Sequence, residues 1–165
     1  RWGKTVFHCP YCHGYELGGE PVAVLATGAK SVHQAALIAD WGKTTYLTAG
    51  AFEPNAEEAA ILARRGVEIE RARVVGLSGG GNDIVVALEG GRALAKRGLF
   101  VAPRTEVRSP IPLHLGCELE EGPMGAFLKA DAMTRETSVP GVFACGDVAL
   151  AAGSVAFAVG DETYE

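Results

Sequence analysis

Two cysteines separated by two residues lie near the start of the chain, in the segment His8-Cys9-Pro10-Tyr11-Cys12-His13-Gly14-Tyr15-Glu16. A Cys-x-x-Cys turn allows the two sulfurs to close into a small disulfide. The flanking imidazoles of His8 and His13 and the local backbone dipoles can hold one thiol partly as the reactive thiolate. Either imidazole is also a candidate general base, since it titrates near neutrality, or it only hydrogen-bonds the turn. The pattern predicts a redox-active dithiol, with Cys9 and Cys12 as the reacting groups.

The sequence leaves other uses of this cysteine pair open. A structural zinc site needs four ligands, and the remaining cysteines, Cys117 and Cys145, are isolated from any second ligand pair. The segment Cys9-Pro10-Tyr11-Cys12-His13 also matches a c-type haem attachment pattern, but no export signal accompanies it. A buried structural pair would not ordinarily be ringed by histidines and an acid. We therefore favour the redox dithiol and expect Cys117 and Cys145 to be buried. Tyr11 and Tyr15 are expected to pack in the core, with a place beside a bound cofactor or substrate as the alternative.

A second motif lies between a short apolar run, residues 21–25, and a helical pattern over residues 32–41. In a dinucleotide-binding fingerprint, the first glycine makes a tight turn, the second lets the backbone approach pyrophosphate, and a small third residue permits helix packing. Ala26, Gly28 and Ser31 occupy those positions here. They are candidate nucleotide-binding residues. Alanine at the first position restricts the turn, and a purely structural strand-to-helix turn is the alternative.

The next part of the chain continues this pattern. Gly42 is expected to end the helix, and residues 44–48 are expected to form the following strand. Residues 21–48 therefore predict a βαβ unit with two parallel strands joined by a right-handed crossover. Asn55 is placed to cap a second helix that continues through Arg65. The fold class is predicted to be α/β, with a Rossmann-like nucleotide-binding domain.

Short strands separated by glycine clusters follow the second helix. The pattern predicts strands over residues 67–69, 73–77 and 84–88, arranged as an antiparallel meander with a hairpin at Gly90-Gly91. Residues 98–103 return as a buried strand. This domain is expected to span residues 1–102.

The second domain is expected to span residues 103–165. Several prolines mark an irregular segment, after which Pro140-Gly141-Val142-Phe143-Ala144-Cys145-Gly146-Asp147 reads as a strand whose end presents an acid. A helix rich in small residues is predicted to begin at about Val148 and to continue to Val159.

Composition narrows the class of protein. The chain has 165 residues, of which 48% are hydrophobic and 21% charged, as in an ordinary globular protein. A net charge of −5 with scattered bases makes nucleic acid an unexpected partner, and no apolar run approaches the length of a membrane span. Four cysteines, two of them in a redox-type pair, fit a reducing cytosol better than a secreted scaffold.

The order of the motifs is more specific than any one of them. A Cys-x-x-Cys, then a strand-turn-helix, then the segment that ends at Gly146-Asp147 resembles the low-molecular-weight thioredoxin reductases and related flavin-dependent disulfide oxidoreductases. The resemblance covers essentially the whole chain. It implies an NAD(P)-binding domain that carries the dithiol, followed by the C-terminal part of an FAD-binding domain.

The resemblance also implies residue roles. Asp147 would bind the ribityl or pyrophosphate region of FAD, Gly146 would allow its close approach, and the helix that begins near Val148 would lie against the flavin. Cys12 would be the sulfur that contacts the flavin, and Cys9 the sulfur that exchanges with substrate, although the opposite assignment stays open. NADPH is the possible second cofactor.

The segment Cys-x-x-Cys-His-Gly-Tyr-Glu is closer still to one branch, which includes the fungal gliotoxin-type dithiol oxidases. Members of this branch either reduce a partner disulfide with NADPH or oxidise a small dithiol and pass electrons through flavin to oxygen. The implied partner is a small-molecule dithiol or disulfide, or a thioredoxin-like protein. A homodimer is implied as well. The alternative is a non-catalytic nucleotide-fold fragment, or a metal-binding module that uses the cysteine pair.

One feature of the family has no counterpart here. Its N-terminal FAD lobe, with a glycine-rich turn for the ADP half, is absent ahead of Arg1, and residues 161–165 stop before a final helix would be complete. We therefore expect the sequence to be the C-terminal portion of a longer protein, or to work with a second segment that supplies the missing lobe.

Overall fold

The computed structural model describes residues 1–151 and 153–161. The predictions made for residue 152 and for residues 162–165 therefore lie outside the described residues. The chain divides into two compact units, Arg1–Pro103 and Arg104–Glu165. Among the described residues, no helix is long and apolar enough to cross a bilayer.

The first unit is built on a five-stranded sheet in which every neighbouring pair of strands is parallel. Its elements, in chain order, are β1 (Val6–Phe7), α1 (Pro10–His13), β2 (Gly19–Leu25), α2 (Lys30–Ile38), β3 (Gly42–Leu47), α3 (Ala56–Arg64), β4 (Glu68–Glu70), β5 (Val74–Ser78), β6 (Ile84–Leu88), β7 (Ala93–Lys96) and β8 (Gly98–Val101). The strand order in the sheet is β1-β8-β2-β3-β4. The predicted α/β class is therefore confirmed.

The run of apolar residues in β2 reflects burial on both faces of the sheet. Val22 and Val24 point into one apolar cluster, which the helices complete, whereas Ala23 joins a second cluster with residues of β6. Successive side chains of a strand point to opposite faces, so a strand covered on both sides is apolar at every position.

The predicted βαβ unit is present, with β2 and β3 parallel and α2 between them. The helix is shorter than the pattern predicts, because it ends at Ile38. Gly42 does not stop the helix but begins β3. A Cβ on Gly42 would lie 2.5 Å from the carbonyl oxygen of Glu20, so this glycine permits the close approach of β2.

Helix α3 begins as the sequence predicts. The Asn55 side chain accepts a hydrogen bond from the backbone N–H of Glu58 at 2.9 Å, and the Glu58 carboxylate accepts one from the Asn55 N–H at 2.8 Å. This reciprocal pair satisfies two N–H groups that have no partner within the helix.

Replacing Asn55 with alanine is expected to lower the free energy of unfolding by about 1 kcal/mol, because it removes the side-chain oxygen that accepts from the Glu58 N–H. Chemical denaturation measures the loss. Glu57→Asp is the matched control, since Glu57 lies in the same first turn but takes no part in the capping pair. An Asn55→Ala variant as stable as its parent would contradict the assignment.

The predicted antiparallel meander is correct in kind but wrong in membership. The strand near residues 67–69 forms as β4, and it pairs parallel with β3 at the edge of the main sheet. It follows α3, and a strand that follows a crossover helix is placed to join a parallel sheet. The meander is instead β5-β6-β7, and its second hairpin turns at Gly90 and Gly91, where φ is +85° and +81°.

The second unit contains small elements around its own apolar cluster of Cys117, Leu128, Ala144 and Ala149. They are α4 (Ile111–His114), β9 (Leu119–Gly122), β10 (Gly125–Leu128), a 3₁₀ turn (Gly146–Val148) and α5 (Val155–Asp161). The sequence did not predict the β9-β10 hairpin. Its Gly125 has φ of +137°, and a Cβ there would lie 2.0 Å from the carbonyl oxygen of Thr105.

The predicted strand over residues 139–147 is wrong. Its backbone folds back on the preceding loop, with Thr137 N–H bonded to Val142 at 2.7 Å and Ala144 N–H bonded to Arg135 at 2.9 Å. Phe143 makes only an isolated bridge to Glu136 and is 63% exposed. An apolar run becomes a regular strand only where a neighbouring strand takes up its backbone groups.

The predicted helix over residues 148–159 also differs from the structure. Val148 belongs to the 3₁₀ turn, Ala149 leaves helical geometry with φ of −112°, and α5 begins only at Val155.

Candidate functional site

The two sequence motifs of the first unit meet at one edge of the parallel sheet. Strands β1, β8 and β2 are neighbours and run in the same direction. His8 and Cys9 follow the end of β1, and Ala26 follows the end of β2. The carboxyl edge of an open parallel sheet is where such folds place ligands, so the dithiol and the glycine-containing turn lie at the position expected of a binding site.

The dithiol turn is a short helix entered from an extended residue. Cys9 is the N-cap of α1, with φ of −113° and ψ of 118°, and Pro10 occupies the first helical position. Proline fits there because the first helical N–H has no partner within the helix. Cys9 is half-buried and Cys12 is exposed, and both are free thiols. The half-buried sulfur and the exposed sulfur are thus distinct in their access to solvent.

Gly14 lets the dithiol turn pack closely against Trp41. A Cβ at Gly14 would lie 2.5 Å from Cδ2 of Trp41 and 2.6 Å from the carbonyl oxygen of Pro10. The Gly14 N–H also donates to that carbonyl at 2.6 Å and closes α1. The glycine is therefore needed for the close approach of the Trp41 indole, since its own φ of −60° is ordinary.

The two sulfurs differ in their electrostatics. A side-chain hydrogen bond to Cys9 raises the pKa of the Cys12 thiol, and burial and the charge of the Cys9 sulfur act in the same direction. Cys12 in its thiol form can donate a hydrogen bond to Cys9. The pair therefore favours a state in which the proton stays on Cys12.

Cys9→Ala is expected to increase the rate at which Cys12 is alkylated at neutral pH. The substitution removes the main cause of the raised Cys12 pKa, so a larger fraction of Cys12 becomes thiolate, which is the reactive form. In the parent protein the same rate is reached only at higher pH. Alkylation by iodoacetamide at several pH values, followed by peptide mass analysis, measures this. An unchanged pH profile of Cys12 alkylation would contradict the coupling.

The two predicted histidines have different surroundings. The His13 ring packs against Phe7 with centroids 4.6 Å apart and a tilt of 31° between the rings, and its Nδ1 lies 3.5 Å from Oε2 of Glu16. A carboxylate at Nδ1 favours a proton on that nitrogen and leaves Nε2 as an acceptor. His8 is exposed and stacks on Trp2, with centroids 5.9 Å apart. Glu16 was not among the predicted site residues, although its spacing of three from His13 could have indicated it.

The tyrosines of the motif do not pack in the core, contrary to the prediction. Tyr11 is 73% exposed and Tyr15 is 89% exposed. Tyr11 places its ring edge-on to Trp41, with centroids 5.9 Å apart. Because α1 is a single short turn on the surface, only Pro10 among its residues is buried.

The turn after β2 accommodates the sequence well. Ala26 is buried, its backbone is not in the left-handed region, and its N–H donates to Leu47 at 2.9 Å, so a first glycine is not required. The buried Ser31 hydroxyl accepts a hydrogen bond from the Thr27 N–H at 3.0 Å and closes the turn.

Gly28 in this turn is open to a ligand. No atom lies within 4 Å of the position that a Cβ would occupy, and its φ is not positive. Neither the backbone conformation nor packing therefore demands glycine here. Close approach of a ligand to the backbone, as in a dinucleotide-binding turn, would account for glycine at this position.

One residue that the sequence did not single out connects the two motifs. Gln34, on α2, donates from Nε2 to the carbonyl oxygen of His8 at 2.9 Å and to that of Val101 at 3.2 Å. A polar residue at this position of an amphipathic helix carries no motif, so nothing in the sequence indicated it.

The other predicted cofactor-binding residues, Gly146, Asp147 and Val148, form the 3₁₀ turn of the second unit. Gly146 has φ of +68°, and a Cβ on Gly153 would lie 2.0 Å from Oδ1 of Asp147. Glycine at 153 thus lets the carboxylate lie against the backbone.

The Asp147 turn lines a cavity of about 300 Å³. Asp147, Val148, Ala126, Arg108 and other residues of the second unit form its wall. The lining thus includes a carboxylate, which accepts hydrogen bonds from hydroxyl groups, and a guanidinium, which pairs with phosphate.

Two expectations about the other cysteines are decided by the structure. Cys117 is buried, as predicted, and its thiol lies 3.6 Å from the Thr137 hydroxyl. Cys145 is exposed, contrary to the prediction, because it lies in the segment that folds back on a loop instead of entering a sheet. Within the described residues, no three His, Cys, Asp or Glu side chains are grouped so that they could hold a metal ion.

Comparison with known proteins shows which proteins the chain resembles. No family model matches the chain. It is 31% identical over 157 residues to the thioredoxin reductase tcpT of Claviceps purpurea, covering 88% of this chain and 47% of that protein. It is 29% identical over 163 residues to the thioredoxin reductase aclD of Aspergillus oryzae, covering 91% of this chain and 50% of that protein.

Solved structures agree with the sequence relatives. The crystal structure of an oxidoreductase from Agrobacterium tumefaciens is 46% identical, with a TM-score of 0.90, and covers 99% of this chain and 54% of that chain. This structure is named as an oxidoreductase, and the relative from Claviceps purpurea as a thioredoxin reductase. The resemblance that the motifs predict is thus confirmed: the chain is similar to thioredoxin reductases and spans about half the length of the curated relatives it matches.

Proposed function

We propose that the protein is a flavin-dependent dithiol/disulfide oxidoreductase that exchanges electrons between FAD and a substrate disulfide or dithiol. The observation that carries this proposal is the free dithiol at the carboxyl edge of the parallel sheet, beside an open nucleotide-type turn. Because the chain spans about half the length of the curated relatives it matches, the activity is proposed for the whole protein.

Cys9 is the sulfur that exchanges with substrate. As a thiolate, it attacks one sulfur of the substrate disulfide, forms a mixed disulfide and releases the other sulfur as a thiolate. Cys12 then attacks the Cys9 sulfur, which releases the second substrate thiol and leaves a Cys9–Cys12 disulfide. Oxidation of a substrate dithiol follows the same steps in reverse. The raised pKa of Cys12 supports this division, since the proton that Cys12 retains stabilises the attacking sulfur.

His13 is the better placed of the two candidate bases. Glu16 holds its Nδ1 side, which leaves Nε2 to move the proton of an incoming or departing thiol. His8 is the second candidate. The ring of His8, the residue directly before Cys9 in the chain, stacks on the Trp2 indole.

FAD and NADPH are the proposed cofactors. Gly146, Asp147 and Val148 would hold the ribityl or pyrophosphate part of FAD, and Ala26, Gly28 and Ser31 would hold the pyrophosphate of NADPH. Bound FAD supplies the two-electron exchange with the Cys9–Cys12 pair. Domain roles follow, with nucleotide binding in residues 1–102 and flavin binding in residues 103–165.

The remaining proposals concern partners and location. The substrate is a small-molecule dithiol or disulfide, or a thioredoxin-like protein. A polypeptide lobe that the matched relatives contain beyond this region completes the FAD site, and the protein works as a homodimer. Cytoplasmic location is proposed because four cysteines, two of them in a redox-type pair, fit a reducing compartment better than a disulfide-stapled secreted scaffold.

The visible spectrum of the full-length protein tests the proposal. A flavin band that bleaches on anaerobic addition of NADPH is the expected result for a reductase. A band that ignores NADPH but bleaches with a dithiol indicates the oxidase direction of the same chemistry. Full-length protein that binds no flavin after reconstitution with FAD would overturn the proposal.

Gly28→Val is expected to weaken NADPH binding by about tenfold or more, because its side chain would occupy the space needed by the pyrophosphate. Titration of flavin bleaching with NADPH measures the affinity. Gly80→Val is the matched control, since Gly80 also has open space at its Cβ position and no positive φ. Equal NADPH affinity in both variants would remove the turn from the nucleotide site.

A further inference from the structure

We propose that Gln34 is a positioning residue that sets the thiol–disulfide equilibrium of the Cys9–Cys12 pair. The proposal rests on the proposed function for its biological meaning, but its test requires only the two thiols. It arises from a feature of the sheet edge that the sequence motifs do not include.

The Gln34 side chain links β1 and β8 one residue beyond their last backbone pair. Strand β1 is two residues long, and its pairs with β8 are Val6 with Leu99 and Phe7 with Phe100. The next pair in this register would be His8 with Val101. The Gln34 amide donates to the carbonyl oxygens of these two residues, at 2.9 Å and 3.2 Å.

The orientation of the Gln34 amide follows from its neighbours. Both nearby backbone groups are carbonyls, so only the NH₂ end can face them. The Oε1 atom is buried and has no hydrogen-bond partner among the residues that the structure describes. The two hydrogen bonds from Nε2 therefore hold the amide in place. The same orientation leaves the Oε1 acceptor unsatisfied among those residues.

The position of Gln34 is itself rigid. Helix α2 buries Val32, Ala35 and Ile38 against the sheet, so the residue between them has little freedom to move. The hydrogen bond from α2 to the carbonyl of His8 stabilises the end of β1, which has only two residues.

The hydrogen bond from Gln34 is made to His8, the residue that precedes the reactive Cys9. The His8 carbonyl belongs to the peptide group that continues into Cys9, and that peptide group is planar. Fixing the carbonyl therefore fixes the direction of the Cys9 N–H and the point from which the Cys9 side chain starts. The same residue is the N-cap of α1, which carries Cys12.

A consequence follows for disulfide formation. When the segment that enters α1 is held, fewer conformations are lost as the Cys9–Cys12 bond forms, which favours the disulfide. In the reaction the two thiols together lose two protons and two electrons to an added oxidant such as glutathione disulfide, which becomes two glutathione thiols. Loosening the segment shifts this exchange towards the dithiol.

The experiment uses the full-length protein with Gln34→Met, which keeps the length of the side chain and removes its N–H donors. The variant is equilibrated anaerobically with mixtures of reduced and oxidised glutathione, and the Cys9–Cys12 peptide is quantified after alkylation. We expect the equilibrium constant for disulfide formation to fall by about three- to tenfold. Gln34→Glu, which also lacks N–H donors, is expected to change it in the same direction and serves if the first variant folds poorly.

Thr44→Val is the matched control. Thr44 is buried and its hydroxyl donates to the Gly42 carbonyl at 2.9 Å, so the variant loses a side-chain hydrogen bond to the backbone elsewhere in the same unit. Its thiol–disulfide equilibrium should match the parent. Folded Gln34 variants with the parental equilibrium, or an equal shift in Thr44→Val, would overturn the proposal. Absence of flavin chemistry would overturn the proposed function and leave this result intact.

Discussion

In the full-length protein, Cys12→Ser is expected to reduce disulfide turnover by roughly a thousandfold or more and to leave Cys9 joined to substrate as a mixed disulfide. Cys9 can still attack, but no second thiol is present to release it. Cys9→Ser is expected to lose turnover to the same extent without trapping substrate. Steady-state turnover and intact-protein mass measure the two outcomes, and flavin stays bound in both variants.

Cys117→Ser is the matched control for these variants. Cys117 lies in the second unit, and a serine hydroxyl can keep the contact with the Thr137 hydroxyl. It should retain turnover. Trapping in Cys9→Ser instead of Cys12→Ser would reverse the roles of the two sulfurs, and normal turnover in both serine variants would end the dithiol mechanism.

Gly14→Ala is expected to lower the free energy of unfolding by about 1–3 kcal/mol, because the added methyl group overlaps Trp41 and the Pro10 carbonyl. The overlap with a backbone carbonyl cannot be relieved by rotating a side chain. Helix α1 must therefore shift, and the alkylation rates of Cys9 and Cys12 should change with it. Chemical denaturation and alkylation kinetics measure the two effects.

Gly80→Ala controls for the general effect of replacing glycine. A Cβ at Gly80 has open space and its backbone is not in the left-handed region, so stability should be unchanged. If Gly14→Ala were as stable as its parent and had parental thiol reactivity, the close packing of Trp41 on the dithiol turn would be incorrect.

Local signals explain the elements that the sequence predicted well. The βαβ unit follows from an apolar run, a small-residue turn and a helical pattern within one stretch of the chain. The start of α3 follows from Asn55 and Glu58, whose reciprocal bonds involve only neighbouring residues. Such features depend on backbone preference and short-range hydrogen bonds, which the order of residues expresses directly.

The incorrect predictions share a different cause. Strand β4 has the composition of a meander strand, but the crossover helix before it brings it beside β3. The segment near Phe143 has the composition of a buried strand, but its backbone bonds go to a loop, which leaves Phe143 and Cys145 exposed. Pairing partners are distant in sequence, so composition does not identify them.

Residue types and their spacing within short segments were sufficient to predict the α/β class, the redox dithiol as the leading chemistry and the family resemblance. The folded chain was needed to show that the dithiol and the Gly28 turn share one sheet edge, that Glu16 faces His13, that Trp41 packs on Gly14, and that Gln34 joins β1 to β8. These contacts arise because parallel strands from separate parts of the chain end side by side. The contacts made there are set by strand order and register, which no local pattern contains.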